Sequence, residues 1–131
     1  MSDETMDARA AGRAKMQEVY GFNVDPDTVE GPYVDVTVDH LFGAIWTREA
    51  LSIRDRRLIT IGVLASQGKD DLCEIQFGAA LERGEFDEEQ LRELVLHLAH
   101  YIGWPLSTGV NAAAEKVIAR RAKAAKATAD G

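Results

Sequence analysis

Between Leu51 and Pro105 the sequence starts and stops a helix three times, at intervals so short that only helices packed side by side fit. Ser52 followed by Asp55 is an N-cap serine with an acidic residue three positions on, and "RDRRLITIGVLAS" continues from it to Gly68. Asp70 or Asp71 can cap the next helix, which runs to Gly84, a residue suited to the left-handed conformation that commonly follows a helix. Asp87 with Gln90 repeats the capping pattern and opens "EEQLRELVLHLAHYI", which stops at Gly103 and Pro105. Connections this short make consecutive helices antiparallel neighbours.

The flanks extend the same pattern. A first helix is expected over about residues 5–20, ending at Gly21, with Met16 and Val19 among the alanines of its apolar side. "NVDPDTVEGPYVD" carries Asp25-Pro26 and Gly31-Pro32, which favour turns and extended backbone. A second helix is expected over about 34–47, with Val36, Leu41, Phe42 and Ile45 on its apolar side. The alternation of Val34, Val36 and Val38 with polar residues would suit a short strand, but no partner strand exists elsewhere, and helix is preferred. A last helix fills about 106–126. The sum is an all-α single domain of about six helices, and the wide apolar faces on so short a chain predict a homo-oligomer.

Length and charge narrow the function. A chain of 131 residues with 46% hydrophobic and 28% charged content can bury one core without metals or disulfides. A net charge of −7 argues against nucleic acid, which requires a basic face. Lys116, Arg120, Arg121, Lys123 and Lys126 form a basic stretch, read as a solvated helix end whose cations suit the negative C-terminal dipole. One cysteine cannot form an internal disulfide, and no Cys/His cluster has zinc-ligand spacing. The N-terminus "MSDETMDARA" lacks the apolar core of a secretory signal, and no apolar run approaches a membrane span. A soluble cytoplasmic protein without metal or membrane partner is expected.

On the helix "DLCEIQFGAAL" a turn of about 100° per residue puts Leu72, Ile75 and Ala79 on one stripe, with Gln76 at its edge pointing inward and Cys73 a quarter turn away. Two readings of Gln76 stand: an amide satisfied by its neighbours, or a polar group lining a pocket. Cys73 reads as a small buried hydrophobe, because Asp70, Asp71 and Glu74 favour its neutral thiol. On the following helix Leu91, Leu94, Val95, Leu98 and Ile102 define a core stripe, with Glu93, His97 and His100 opposite and Tyr101 on the flank. Those histidines are either part of a solvated face or candidates for acid–base work near neutral pH. His40 receives no role.

The run "FGAIWTREALSIRDRRLITIGVLASQGK" resembles the carboxymuconolactone decarboxylase family, in which a phenylalanine-glycine and a tryptophan precede "LSxRDRxLxTxAxLAxxG". The likeness continues through "GAALERGEFDEEQLRELVLHLAHYIGWPLSTGVNAA", in Ala80-Leu81, Gly84, Glu88-Glu89, Tyr101, Gly103, Pro105 and Asn111, so that it covers about residues 40–120. Residues 1–30 then form an N-terminal helix and turn, and 121–131 a basic helix end and tail. The resemblance implies an all-α fold, similar to alkylhydroperoxidase D and assembled as a homo-oligomer, a trimer or hexamer. It further implies cofactor-free removal of CO2 from a small carboxylated lactone such as 4-carboxymuconolactone, in aromatic catabolism through the β-ketoadipate pathway.

Two branches of that family differ at the site. Namesake-type enzymes carry histidine where this chain has Gln76. The peroxidase branch uses a Cys-x-x-Cys pair, a following histidine and an upstream glutamate, whose positions hold Cys73, Gln76, Ala80 and Arg57 here. A dithiol cycle needs a resolving sulfur that a lone cysteine lacks. By this resemblance Gln76 orients substrate or stabilises its enolate, His100 or His97 supplies the proton, and Tyr101, Trp46, Arg54 and Trp104 contact substrate. Ion-paired helix capping by Asp55 competes with that use of Arg54. A thiol-dependent peroxidase or reductase using Cys73 with an external thiol is the second reading, and a non-catalytic small-ligand-binding oligomer the third.

Overall fold

The computed structural model describes residues 2–22, 25, 28, 29 and 31–130, with side chains from residue 7 onward. Among these residues every regular element is helical: α1 (Ser2–Tyr20), α2 (Pro32–Val36, running directly into a π-helix over Thr37–Ile45), α3 (Ile53–Ser66), α4 (Asp70–Arg83), α5 (Glu88–Ile102) and α6 (Trp104–Asp130). No helix is long and apolar enough to cross a membrane, among the described residues. The chain divides into two compact units, Met1–Arg56 and Arg57–Gly131, the division falling within α3.

In the first unit α1 lays Met16 and Val19 against Val38, Phe42 and Trp46. Tyr20 reaches Phe42 at a ring separation of 5.5 Å, and Phe42 stacks on Trp46 at 5.9 Å. The two segments meet through glycines. A Cβ on Gly12 would collide with the Val38 carbonyl, and one on Gly43 would lie 2.7 Å from the Ala8 carbonyl oxygen. Arg9 ties the crossing from outside, 3.3 Å from Asp35 and 3.4 Å from Asp39. The expected extended backbone at Gly31-Pro32 is replaced by a helix start at Pro32, because proline's fixed φ and missing N–H suit the first helical position. Of the other expected turn, Asp25 accepts from the Thr28 amide at 3.3 Å, and Pro26 lies outside the described residues. The Val34–Val38 stretch is helical, and its widened π turns were not visible in the hydrophobic pattern.

The second unit closes around Ile61, Phe77, Leu91, Val95, Val110 and Val117. At the end of the first unit, Ser52 accepts from the Asp55 amide at 3.0 Å, as its capping pattern requires. The Asp87–Gln90 box forms in both directions, at 2.9 and 2.8 Å. Before α4 the expectation fails: Lys69 holds the cap position, and Asp70 and Asp71 lie inside the first turn. There the Asp70 carboxylate packs where a side chain at Gly109 of α6 would be. Helix α6 starts at Trp104 rather than 106, accommodating Pro105 in its first turn, where no intrahelical N–H is needed. Its basic stretch is exposed as expected apart from half-buried Arg121, and Arg120 and Arg121 pair with Glu74 and Glu82 of α4, each at 2.9 Å.

Alanine substitutions at two helical glycines should act oppositely. Gly12→Ala forces a methyl into backbone and should cost about 1–3 kcal/mol in urea denaturation. Gly62→Ala, in α3 with nothing within 4 Å of the new Cβ, should instead add about 0.5–1 kcal/mol through helix propensity.

Candidate functional site

Arg57, Ile61 and Ala65 stand four residues apart on α3, and all three are buried. This stripe takes a guanidinium into the second unit with none of it exposed to solvent. Its partner arrives by way of a helix stop. Gly84 adopts the left-handed conformation (φ 70°, ψ 24°), and the Glu85 amide donates to the Ala80 carbonyl at 3.0 Å while that of Gly84 donates to Leu81 at 3.1 Å. This double closure is a Schellman turn, and it reverses the chain after α4. Glu85 consequently faces Arg57: Arg57 Nε donates to Oε1 at 2.6 Å and Nη2 to Oε2 at 3.0 Å. Arg83 Nε joins the same carboxylate at 2.8 Å.

The third arm of the guanidinium reaches Gln76. Arg57 Nη1 donates to Gln76 Oε1 at 2.8 Å. Guanidinium has only donors, so the carbonyl end of the amide must face it, and the NH2 is the end left to donate elsewhere. Gln76 is 7% exposed, at the edge of the core as expected. The stripe around it differs from the expected one. Cys73, Phe77 and Ala80 point inward, and Leu72 is exposed, because α4 packs its Cys73 side into the core. Burial, aided by the carboxylates of Asp70 and Asp71, pushes the Cys73 thiol up from the ordinary 9.0 to about 11. The sulfur is therefore protonated and sequestered at neutral pH.

The remaining candidates lie elsewhere. Helix α5 turns Leu91, Val95 and Ala99 inward, which leaves His97, His100 and Tyr101 on its exposed side. His97 packs against Tyr101 at a ring separation of 5.1 Å, and His100 meets Trp104 edge-on at 5.5 Å. His100 Nδ1 lies 2.8 Å from the Leu96 carbonyl. A carbonyl only accepts, so Nδ1 carries a proton and Nε2 is the nitrogen open to exchange. Trp104 also lines a surface cavity of about 220 Å³ with Val95, Leu96, Ala99, Thr108 and Asn111. The structure thus joins the histidines, Tyr101 and Trp104 along one outer face and does not bring Gln76 to it. In the first unit Trp46 is a buried core residue, and exposed Arg54 lies 3.7 Å from Asp55. Among the described residues no cluster of His, Cys, Asp and Glu is arranged to hold a metal.

The sequence reading gave Arg54 a substrate contact, and gave no role to Arg57 or Glu85. The available signal was the four-residue spacing of Arg57 with Ile61 and Ala65, which places that arginine alone on the core stripe.

Three comparisons bear on this arrangement. The carboxymuconolactone decarboxylase family model matches residues 32–116, which include Arg57, Gln76, Glu85, His97 and His100. The 4-carboxymuconolactone decarboxylase of Acinetobacter baylyi is 34% identical over 76 residues, covering 58% of this chain and 56% of that protein. The chain therefore spans little more than half the length of this relative. No solved structure matches it.

The raised thiol pKa makes stability depend on pH. The folded state holds the proton more tightly than the unfolded one, so the contribution is full below about pH 9 and is lost as pH rises towards 11. Denaturant midpoints should fall across that window for the wild type, less so for Cys73→Ala. Native protein at pH 8 should resist alkylation at Cys73.

Proposed function

Because the chain belongs to the carboxymuconolactone decarboxylase family, we propose that it releases CO2, without a cofactor, from a small carboxylated lactone or related acid. The named activity of the Acinetobacter relative makes 4-carboxymuconolactone the first substrate to try. In this reaction the bond to the carboxylate breaks, and its electron pair moves towards the lactone carbonyl as an enolate. A proton must then reach carbon. The site has to hydrogen-bond the developing oxyanion and deliver that proton.

The observation that carries the reading is the held amide of Gln76. Arg57 occupies its carbonyl end at 2.8 Å, so a donor fixed in one orientation is left at the edge of the core. A preoriented donor stabilises an enolate without reorganising during the reaction. Gln76 cannot supply the proton, which in this proposal comes from His100 or His97, with Tyr101 and Trp104 contacting substrate. With its Nδ1–H held by the Leu96 carbonyl, His100 would give that proton from Nε2 as the imidazolium and become the neutral Nδ1–H tautomer. Since the histidines face outward in one chain, the proposal has a second copy present them to Gln76, in a cytoplasmic homo-oligomer such as a trimer or hexamer. Leu96 and Trp104, half or more exposed beside His100, would give that contact an apolar surface.

CO2 release from 4-carboxymuconolactone by the wild type, Gln76→Ala and Gln76→Glu tests this reading. Turnover should be measurable for the wild type and fall about 10²–10³-fold on losing one oxyanion donor. Gln76→Glu should lose as much, since it keeps an acceptor for Arg57 and lacks the NH2. Wild-type inactivity, or full activity of Gln76→Ala, would overturn the proposal. Thermal stabilisation by the compound with no product formed would point to a binding protein instead.

A further inference from the structure

We infer that Arg57 is a positioning residue that decides the chemistry open to position 76: it holds that side chain by its acceptor and bars a proton from it. Position 76 then works as a neutral hydrogen-bond donor and not as an acid. The catalytic meaning of this rests on the proposed function above, whereas the contact itself does not depend on it.

Three features of the geometry carry the inference. First, the Arg57 guanidinium carries only donors and is wholly buried, so the N–H aimed at Gln76 Oε1 is a permanent demand for an acceptor. Second, Glu85 grips Nε and Nη2 together, which fixes the plane of the fork and the direction of Nη1. Third, Arg83 engages the same carboxylate, so two guanidiniums surround one acid and the local charge is positive. Charged groups elsewhere do not reverse it. On α4, Glu74 turns to Lys116 and Arg120 of α6, and Asp70 and Asp71 lie nearer Cys73 at the helix start. The core residues contributed by α5 and α6, among them Leu91, Val95, Val110 and Ala114, are apolar.

Few side chains meet these conditions. An amide offers its carbonyl to Arg57 and its NH2 in the other direction. A glutamate offers an acceptor and no outward donor. A histidine must surrender one lone pair to Nη1 and remain neutral, since protonation would remove the acceptor and set an imidazolium against a guanidinium. A histidine here, like the glutamine, would donate a hydrogen bond and give up no proton.

The test is a titration in the full-length protein. In Gln76→His, the new imidazole followed by NMR should titrate at least one pH unit below the ordinary value of about 6.5. In Arg57→Lys/Gln76→His, where the ammonium keeps Glu85 but gives up the fork, the value should move back towards ordinary. An imidazole at or above about 6.5 in the single variant would overturn the inference, as would identical values in both backgrounds. Should either histidine variant fail to fold, the Gln76 side-chain NH2 signals, assigned by their loss in Gln76→Glu, should shift in Arg57→Lys; unchanged signals would also overturn it. Neither measurement uses substrate. A depressed imidazole in a protein that releases no CO2 would end the decarboxylase reading and leave this inference standing.

Discussion

A guanidinium with no solvent exposure has to find a partner for its charge, and the interior of the second unit is arranged around Arg57 for that reason. Removing one partner of a buried pair typically costs about 3–5 kcal/mol, because the other charge is left uncompensated. Bidentate geometry from Glu85 meets the requirement, and it depends on the reversal at Gly84 that brings residue 85 back over the end of α4. Gln76 completes the set by accepting the third arm. A stripe on α3, a helix stop on α4 and a side chain in the middle of α4 are therefore held in one register by one cation.

The same packing separates two kinds of chemistry. Helix α5 spends its apolar stripe on the core, and this sends its histidines to the other side. One chain thus has an oriented amide at the edge of its core and a row of imidazole and aromatic rings on an outer face. Cys73, read from the sequence as a small buried hydrophobe, lies on the buried face of α4, where desolvation and two nearby carboxylates suppress its thiolate.

Legibility in the sequence followed the range of the interaction responsible. Ser52 with Asp55, Gly84, and Asp87 with Gln90 act within a few residues, and those helix boundaries could be read directly. The core stripe of α5 was equally plain, since its polar and apolar residues segregate cleanly. Helix α4 was harder: Leu72, Ile75, Cys73, Phe77 and the alanines make two competing apolar stripes, and only its packing within the second unit selects one. The π turns of Thr37–Ile45 accompany a close glycine crossing with α1, a long-range contact that local periodicity does not encode.

What the sequence determined by itself was the set of helices from Leu51 to Gly103, the family, and the inward aim of Gln76, because caps, stops and heptad-scale periodicity are local properties of the chain. Which end of the Gln76 amide is free, which arginine of the "RDRR" run is buried, and on which side of α5 the histidines stand relative to that glutamine were decided by tertiary structure. Arg57 and Glu85 are 28 residues apart, and the pairing of a buried charge over that distance exists only after α3 and α4 have packed.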